Sequence, residues 1–230
     1  MNVGIVIVFI CIVISGAVSS ATCPCDTTTA RTTLSLFYLS TGGESSWSTK
    51  WNTTLPLCEW FGVSCNNVTL GISLNLDGNN LRGPLPDSLQ FLTNIEVLSL
   101  THNSLSGTLP SSYGAWRSLA NFEVAFNSLS GTLPAEYGAW GSGLRVFNVG
   151  NNQLNGTLPT TFSAWAGLTG FFCGSNVLSG TFPRAFYNWT SFTTLDISQN
   201  AFNGSLPLGD DAVHQSSGIL WPKLASFRGQ

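Results

Sequence analysis

LSLTHNSLSGTLP, residues 98–110, is the stretch that decides the fold, because variants of it recur along the chain. The recurrence interval is 24 residues, with one step of 25. The six blocks align without gaps: LNLDGNNLRGPLP (74–86), LSLTHNSLSGTLP (98–110), FEVAFNSLSGTLP (122–134), FNVGNNQLNGTLP (147–159), FFCGSNVLSGTFP (171–183) and LDISQNAFNGSLP (195–207). This regularity predicts a solenoid, in which stacking buries apolar surface that one unit cannot bury alone.

Each block begins as a short strand, because the two apolar residues of L-x-L point to one side and the residue between them to the other. An asparagine follows each strand, and its amide can both donate to and accept from backbone groups freed by the turn. We expect these side chains to form a ladder: Asn79, Asn103, Asn127, Asn152, Asn176 and Asn200. A glycine permits the next tight bend: Gly83, Gly107, Gly131, Gly156, Gly180 and Gly204.

The segments between blocks repeat as well, and each carries aromatic residues at fixed distances after the proline. The tryptophans are Trp116, Trp140, Trp165 and Trp189. The residues three positions earlier are Tyr113, Tyr137, Phe162 and Phe186. A tryptophan column is compatible with a sugar-binding ladder or with a core. The spacing Trp116-x-x-Leu119-x-x-Phe122 favours the core, because it continues the series of inward apolar residues.

The pattern resembles the leucine-rich-repeat family, in the plant-type class marked by L-x-G-x-L-P, over roughly residues 30–207. That class includes ectodomains of plant receptor kinases, secreted inhibitors of cell-wall-degrading enzymes, and kinetoplastid surface antigens of the promastigote-surface-antigen and proteophosphoglycan kind. The YGAW and FSAW linkers look more like the protozoan antigens. The resemblance implies an α/β solenoid, a right-handed superhelix with a parallel β-sheet on its concave face and an irregular or 3-10 convex side. It also implies recognition or surface coating.

Four segments follow from this reading: residues 1–21, a cap at 22–70, six repeats at 71–207 and a tail at 208–230. A hydrophobic run at 3–18 followed by small residues predicts a signal peptide, or alternatively an uncleaved N-terminal anchor. Either predicts an extracellular or cell-surface location. Five N-x-S/T sequons agree with it and are predicted glycosylation sites: Asn52, Asn67, Asn155, Asn188 and Asn203.

The cap is predicted to contain a helix through residues 27–40 with Asp26 as its N-cap. CEWFGVSC (58–65) resembles the paired-cysteine cap of plant-type repeat proteins, and this resemblance implies a Cys58–Cys65 disulfide. Cys173 occupies an inward strand position and is expected to pack in the core. Cys23 and Cys25 remain open, whether paired with each other, paired with a partner chain, unpaired or lipid-modified.

In the tail, Trp221-x-x-Leu224-x-x-Phe227 restores the spacing of the earlier linkers after an insertion. We interpret it as a seventh unit cut off before its strand. Such an end would expose apolar surface, which predicts self-association through the C-terminal end.

Composition and spacing disfavour several kinds of chemistry. Charged residues make up 8% of the chain, the net charge is −3, and there is no basic run, so nucleic acid is not expected as a partner. The only histidines, His102 and His214, are not placed together, so neither a metal site nor a cofactor is expected. Glu123 and Asp196 face outward three repeats apart, about 14 Å at the strand spacing, whereas glycosidase carboxyl pairs lie about 5–9.5 Å apart.

The predicted binding site is the concave face: Asn75, Asp77, Ser99, Thr101, His102, Glu123, Phe126, Asn148, Asn151, Phe172, Asp196 and Gln199. Phe126 and Phe172 are either ligand anchors or rings packed on neighbouring side chains. The scarcity of charge favours a neutral protein surface or a glycan as the partner. The predicted function is a non-enzymatic recognition module, with a coat antigen lacking a specific ligand and a secreted hydrolase as alternatives.

Overall fold

The computed structural model describes residues 25–203 and the backbone of residues 226–228. The α-helices are α1 (Thr28–Ser40) and α2 (Gly43–Ser46). The strands are β1 (Val63–Cys65), β2 (Ile72–Asn75), β3 (Arg82–Pro84), β4 (Ile95–Ser99), β5 (Ser104–Thr108), β6 (Asn121–Glu123), β7 (Ser128–Thr132), β8 (Val146–Asn148), β9 (Gln153–Gly156), β10 (Gly170–Phe172), β11 (Val177–Gly180), β12 (Thr194–Asp196), β13 (Ala201–Phe202) and β14 (Ser226–Arg228). The 3-10 helices span Leu57–Glu59, Asp87–Phe91, Ser111–Ala115, Ala135–Gly143, Thr160–Ala164 and Arg184–Asn188.

The strands form two sheets that run along the stacked repeats. The larger has the order β1-β2-β4-β6-β8-β10-β12-β14, in which only the β1–β2 pair is antiparallel. The parallel sheet and the 3-10 segments that close each repeat confirm the predicted solenoid. The smaller sheet is parallel, with the order β13-β11-β9-β7-β5-β3. The sequence did not reveal it, because its glycines were interpreted as bends alone.

The glycine of the second sheet has a steric role as well as a conformational one. Gly131 has φ 78°, in the left-handed region that side chains avoid. A Cβ added there would lie 2.9 Å from Cγ2 of Thr108 in the preceding repeat. Gly156 and Gly180 have the same contact with Thr132 and Thr157, so at these three positions the glycine leaves room for the threonine of the neighbouring repeat.

The asparagine ladder joins each repeat to the one before it. The Oδ1 atom of Asn127 accepts from Leu105 N of the preceding repeat at 2.9 Å. Its Nδ2 donates to Leu100 O of that repeat at 3.0 Å and to Val124 O of its own at 3.1 Å. Asn103, Asn152, Asn176 and Asn200 make the equivalent bonds. This confirms the predicted role of the asparagines.

The cap completes the ladder where no earlier repeat exists. Asn79 Oδ1 accepts from Thr49 N at 2.6 Å, and its Nδ2 donates to Thr49 O at 3.0 Å. The predicted Cys58–Cys65 disulfide is present beside β1. Cys25 has a free thiol that is buried, and Cys23 lies outside the described residues. The cap thus supplies the backbone groups that a preceding repeat would offer.

The predicted N-cap of α1 was wrong by one residue. Thr27 has extended backbone angles, and its side chain accepts from Ala30 N, so it caps the helix. Asp26 instead pairs with Arg31 through both carboxylate oxygens and accepts from Leu57 N at 3.0 Å. The bond from Arg31 lowers the pKa of Asp26. The acid therefore joins the helix to the disulfide-bearing segment.

The aromatic columns fill the interior, as the spacing predicted. Trp116, Trp140, Trp165 and Trp189 are at most 2% exposed, and successive indoles lie 6.5, 5.9 and 6.4 Å apart with nearly parallel planes. Trp140 Nε1 donates to Tyr113 O of the preceding repeat at 2.9 Å, and Trp165 and Trp189 make the equivalent bond. Trp116 Nε1 is buried without an acceptor among the described residues. The tryptophans therefore serve packing.

The last strand differs from expectation. β14 pairs in parallel with β12, and Phe227 lies opposite Leu195. The seventh unit therefore reaches its strand, and the prediction that it stops before one was wrong. Phe227 was assigned to the linker, although its spacing from Trp221 equals that of Phe122 from Trp116, and Phe122 lies within β6.

Asn127→Ala is expected to lower the free energy of unfolding by at least about 3 kcal/mol, because several buried backbone groups lose their partner and each costs about 1–3 kcal/mol. The measurement is urea unfolding followed by circular dichroism. Asn148→Ala is the control, because the Asn148 side chain lies on the sheet surface and accepts only from Gly150 N at 3.3 Å. Equal losses for both variants would contradict the bridging role.

Trp140→Phe is expected to destabilise the protein by about 1 kcal/mol more than Trp116→Phe, the typical net value of a hydrogen bond. Both changes shorten a buried indole by the same amount, but only Trp140 loses a bond to a carbonyl. Paired thermal and urea unfolding of the two variants measures the difference. A larger loss for Trp116→Phe would contradict this assignment.

Candidate functional site

The candidate site is the outward face of the larger sheet from β2 to β12, with the turn that follows each strand; we call it the sheet face. Strand alternation sends the apolar residues of L-x-L into the core and the intervening residues outward. The exposed members of the predicted set are Asn75, Asp77, His102, Phe126, Asn151 and Gln199. The half-buried members are Thr101, Glu123, Asn148, Phe172 and Asp196.

Ser99 is a correction to the predicted set, because it is only 6% exposed. Its hydroxyl donates to Asp77 Oδ1 at 2.8 Å, and the same oxygen accepts from Thr101 N at 2.7 Å. The carboxylate of Asp77 therefore lies over Ser99 and shields it. Asp77 itself remains exposed and available for contact.

The turn after each strand contains a column of left-handed residues. His102, Phe126, Asn151, Ser175 and Gln199 have φ values of 54°, 55°, 53°, 56° and 53°, and Gly78 at the same place has 62°. A bulky residue rarely adopts this conformation, which costs about 1–2 kcal/mol. The backbone here is fixed by bonds to the next repeat, such as His102 N to Ala125 O at 3.0 Å. The fold therefore imposes the conformation whatever side chain is present.

Two aromatic features stand on the sheet face. His102 and Phe126 stack with ring centroids 4.2 Å apart and planes 11° apart, while Phe126 remains 46% exposed. The Phe172 ring packs over Gly170 of the same strand, and a Cβ added to Gly170 would lie 2.6 Å from that ring. Phe126 thus presents a partly open surface in the turn column, and Phe172 covers its own strand.

The predicted set covered one outward residue per strand and the residues of the following turn. It omitted a second outward residue on each strand. The positions two residues before Asn75, Ser99, Glu123, Asn148 and Asp196 also point outward and are half-buried: Ser73, Val97, Asn121, Val146 and Thr194. The same alternation could have identified them, since they lie two residues earlier on each strand. Ala125, Gly150 and Gly174 lie between the outward strand residues and the left-handed turn residues. They are small and buried.

The charges on the sheet face are acidic. Asp77, Glu123 and Asp196 occupy it, and no lysine or arginine takes an outward position on β2, β4, β6, β8, β10 or β12. The carboxylate of Asp196 is held over Gly174 and accepts from Ser198 N and Ser198 Oγ at 3.0 and 2.6 Å. Glu123 lies on a strand separated from β12 by two others. The two carboxylates are therefore not assembled into a hydrolytic pair.

Other chemical groups are structural or isolated. Cys173 is fully buried, and desolvation raises the pKa of its thiol well above the ordinary value. Burial also raises the pKa of Cys25, to which Glu96 contributes less. Within residues 25–203 no cluster of three or more His, Cys, Asp or Glu residues could hold a metal ion. His214 lies outside the described residues.

None of the five predicted glycosylation sites lies on a strand of the sheet face. Asn52 and Asn67 belong to the cap, and Asn155 lies on β9 of the smaller sheet. Asn188 ends a 3-10 helix, and Asn203 directly follows β13. All five side chains are exposed.

Comparison with known sequences identifies the repeat. The family model described as Leucine Rich Repeat matches residues 72–92, 94–116 and 143–165. A probable leucine-rich repeat receptor-like protein kinase of Arabidopsis thaliana is 34% identical over 62 residues, which are 25% of this chain and 7% of that protein. Since the chain spans so little of the kinase, the match concerns the repeats alone.

Solved structures extend the likeness to nearly the whole solenoid. The BIR2 ectodomain of Arabidopsis thaliana is 31% identical with a TM-score of 0.65, covering 79% of this chain and 97% of that one. The chain belongs to the plant-type leucine-rich-repeat family. The BIR3–SERK2 complex of the same plant gives 28% identity and a TM-score of 0.63, over 76% of this chain and 95% of that one.

A third structure extends the likeness of this plant-type leucine-rich-repeat protein to part of a larger receptor. The plant peptide hormone receptor RGFR1 in complex with RGF2 is 29% identical, with a TM-score of 0.55, over 56% of this chain and 20% of that one. The BIR2 match is to an ectodomain, and the kinase match covers only 7% of that protein. The findings give no support to the expected kinship with kinetoplastid surface antigens. Within the described residues, no helix has the length and hydrophobicity to span a bilayer.

Phe126→Gly is expected to change the free energy of unfolding by less than about 1 kcal/mol. Relief of the left-handed strain, about 1–2 kcal/mol, offsets the lost stacking on His102, about 0.5–1.5 kcal/mol. Phe122→Ala, four residues earlier in the core, is expected to lose about 3–5 kcal/mol. Urea unfolding compares them, and similar losses would mean that the Phe126 ring is needed for folding.

Proposed function

We propose that this protein is an extracellular recognition module that binds a protein or peptide partner on the sheet face. The observation that carries the proposal is the exposed stack of His102 on Phe126. Both residues have left-handed backbone angles, which are unfavourable for bulky side chains. Strained residues persist where the surroundings enforce them, and they concentrate at binding sites. Exposed aromatic side chains are frequent anchors of protein interfaces.

The family supports a macromolecular partner over a small one. RGFR1 is a peptide hormone receptor solved with RGF2, and BIR3 was solved in complex with SERK2. The open sheet face suits an extended or convex surface, and its backbone groups are already paired within the sheet. Recognition would therefore depend on side chains. A glycan partner remains a second outcome of the test, because much of the face is uncharged.

The recognition module that we propose is located outside the cell. Residues 1–21 lie outside the described structure, and we infer that they act as a signal peptide. The disulfide is typical of an oxidising compartment. The five sequon asparagines are exposed, which is compatible with glycosylation in the secretory pathway.

The test is partner capture with the secreted protein and a triple variant, Glu123→Ala, Phe126→Ala and Phe172→Ala. We expect saturable binding to a protein partner, weakened at least about tenfold in the variant, because aromatic anchors typically contribute 2 kcal/mol or more. The partner pool is the set of proteins secreted by the source cells, with a glycan array in parallel.

The matched control replaces three exposed residues of the smaller sheet, Ser104→Ala, Ser106→Ala and Ser128→Ala, and should bind like the unmodified protein. Unchanged binding in the Glu123, Phe126 and Phe172 variant would show that the sheet face is not the site. Dense surface display without saturable binding would favour a coat protein. Binding confined to the glycan array would replace the protein partner with a glycan.

A further inference from the structure

The column of left-handed turn residues begins at Gly78, which leaves an open space where the other positions carry a side chain. His102, Phe126, Asn151, Ser175 and Gln199 carry side chains there, but Gly78 has none. A Cβ added to Gly78 would meet no atom within 4 Å. Every other glycine from Gly83 to Gly131 would place a Cβ against a neighbouring atom. The vacancy is therefore not needed to avoid a clash.

This vacancy adjoins a flat aromatic surface. Phe126 covers one face of the His102 imidazole at a centroid distance of 4.2 Å. On the other side of His102 the column continues with Gly78, one strand away, about 4.8 Å. A planar group placed over Gly78 would thus lie at stacking distance from the second face of the imidazole.

Asp77 places a negatively charged carboxylate beside the open space at Gly78. Its Oδ1 accepts from Thr101 N at 2.7 Å, which fixes the carboxylate beside the residue that precedes His102. The donors to this carboxylate, Ser99 Oγ and Thr101 N, are uncharged. No ion pair within residues 25–203 includes Asp77. A carboxylate accepts up to about four hydrogen bonds, so it retains capacity for a cationic donor.

We propose that Gly78, Asp77 and His102 form a slot for an arginine side chain of the protein partner. A guanidinium is planar, stacks on aromatic faces and binds a carboxylate with two parallel hydrogen bonds. Lysine offers the charge without the plane, and tryptophan the plane without the charge. The slot rests on the proposed function, since it names a chemical group of a partner that binds the sheet face.

The experiment is a titration of the 15N-labelled protein, followed by backbone amide chemical shifts. The probes are three blocked tripeptides that carry arginine, lysine or tryptophan between two glycines. We expect the arginine peptide to shift the amides of Thr101 and His102 with at least about tenfold higher affinity than the lysine peptide. Asp77→Asn and Gly78→Asn should each weaken that binding about tenfold.

Gly78→Asn fills the vacancy with a residue that the chain already carries at φ 53°, Asn151, so the fold tolerates it. Gln199→Ala, at the far end of the column, is the matched control and should bind the arginine peptide unchanged. Thermal unfolding of each variant verifies folding.

Equal affinity for the lysine peptide, stronger binding of the tryptophan peptide, or shifts away from Thr101 and His102 would overturn the slot. The outcome is separable from that of the capture experiment. Partner binding that depends on Phe126 but leaves the arginine peptide inert would reject the slot and retain the recognition function. Arginine binding at Thr101 and His102 without any captured partner would retain the slot and reject the recognition function.

Discussion

One side-chain amide per repeat determines the rest of this structure. The asparagine after each strand accepts from a backbone N–H of the preceding repeat and donates to carbonyls of both repeats, as Asn127 does with Leu105 and Val124. Leu100, Leu105 and Val124 are buried residues, so their backbone groups need hydrogen-bond partners that the asparagine amides supply. The spacing of the repeats, the left-handed residue before each asparagine and the need for a cap all follow. Asn79 would lack partners without Thr49.

The asparagine ladder and the aromatic columns stabilise the fold, so the outward side chains of the sheet face contribute little to folding. Indoles and phenyl rings pack repeat on repeat, and three indoles also donate to the preceding repeat. Little of the stability then depends on outward residues, which explains how Gly78, Phe126 and Asn151 can occupy equivalent positions. A low content of charge is tolerated because hydroxyl and amide side chains cover the exposed strands.

The sequence predicted the elements that repeat and missed those that depend on three dimensions. Period and alternation located the ladder, the inward tryptophans and Cys173 correctly, because each follows from spacing along one chain. The second sheet was missed, since strand pairing there depends on a glycine that accommodates Thr108 of the neighbouring repeat. Ser99 was placed on the surface because its cover, Asp77, comes from another repeat. The stack of His102 on Phe126 likewise joins two repeats.

The left-handed column separates what folding requires from what it permits. Its backbone is fixed by bonds to the next repeat, so glycine or asparagine would be the least costly choice at every position. Yet the column contains phenylalanine, histidine and glutamine, and the two rings lie on adjacent strands where they stack. One stack contributes about 0.5–1.5 kcal/mol, which is less than the strain of two bulky residues at about 1–2 kcal/mol each. Folding alone therefore does not account for the aromatic pair, which agrees with the role in partner binding that we propose for the two rings.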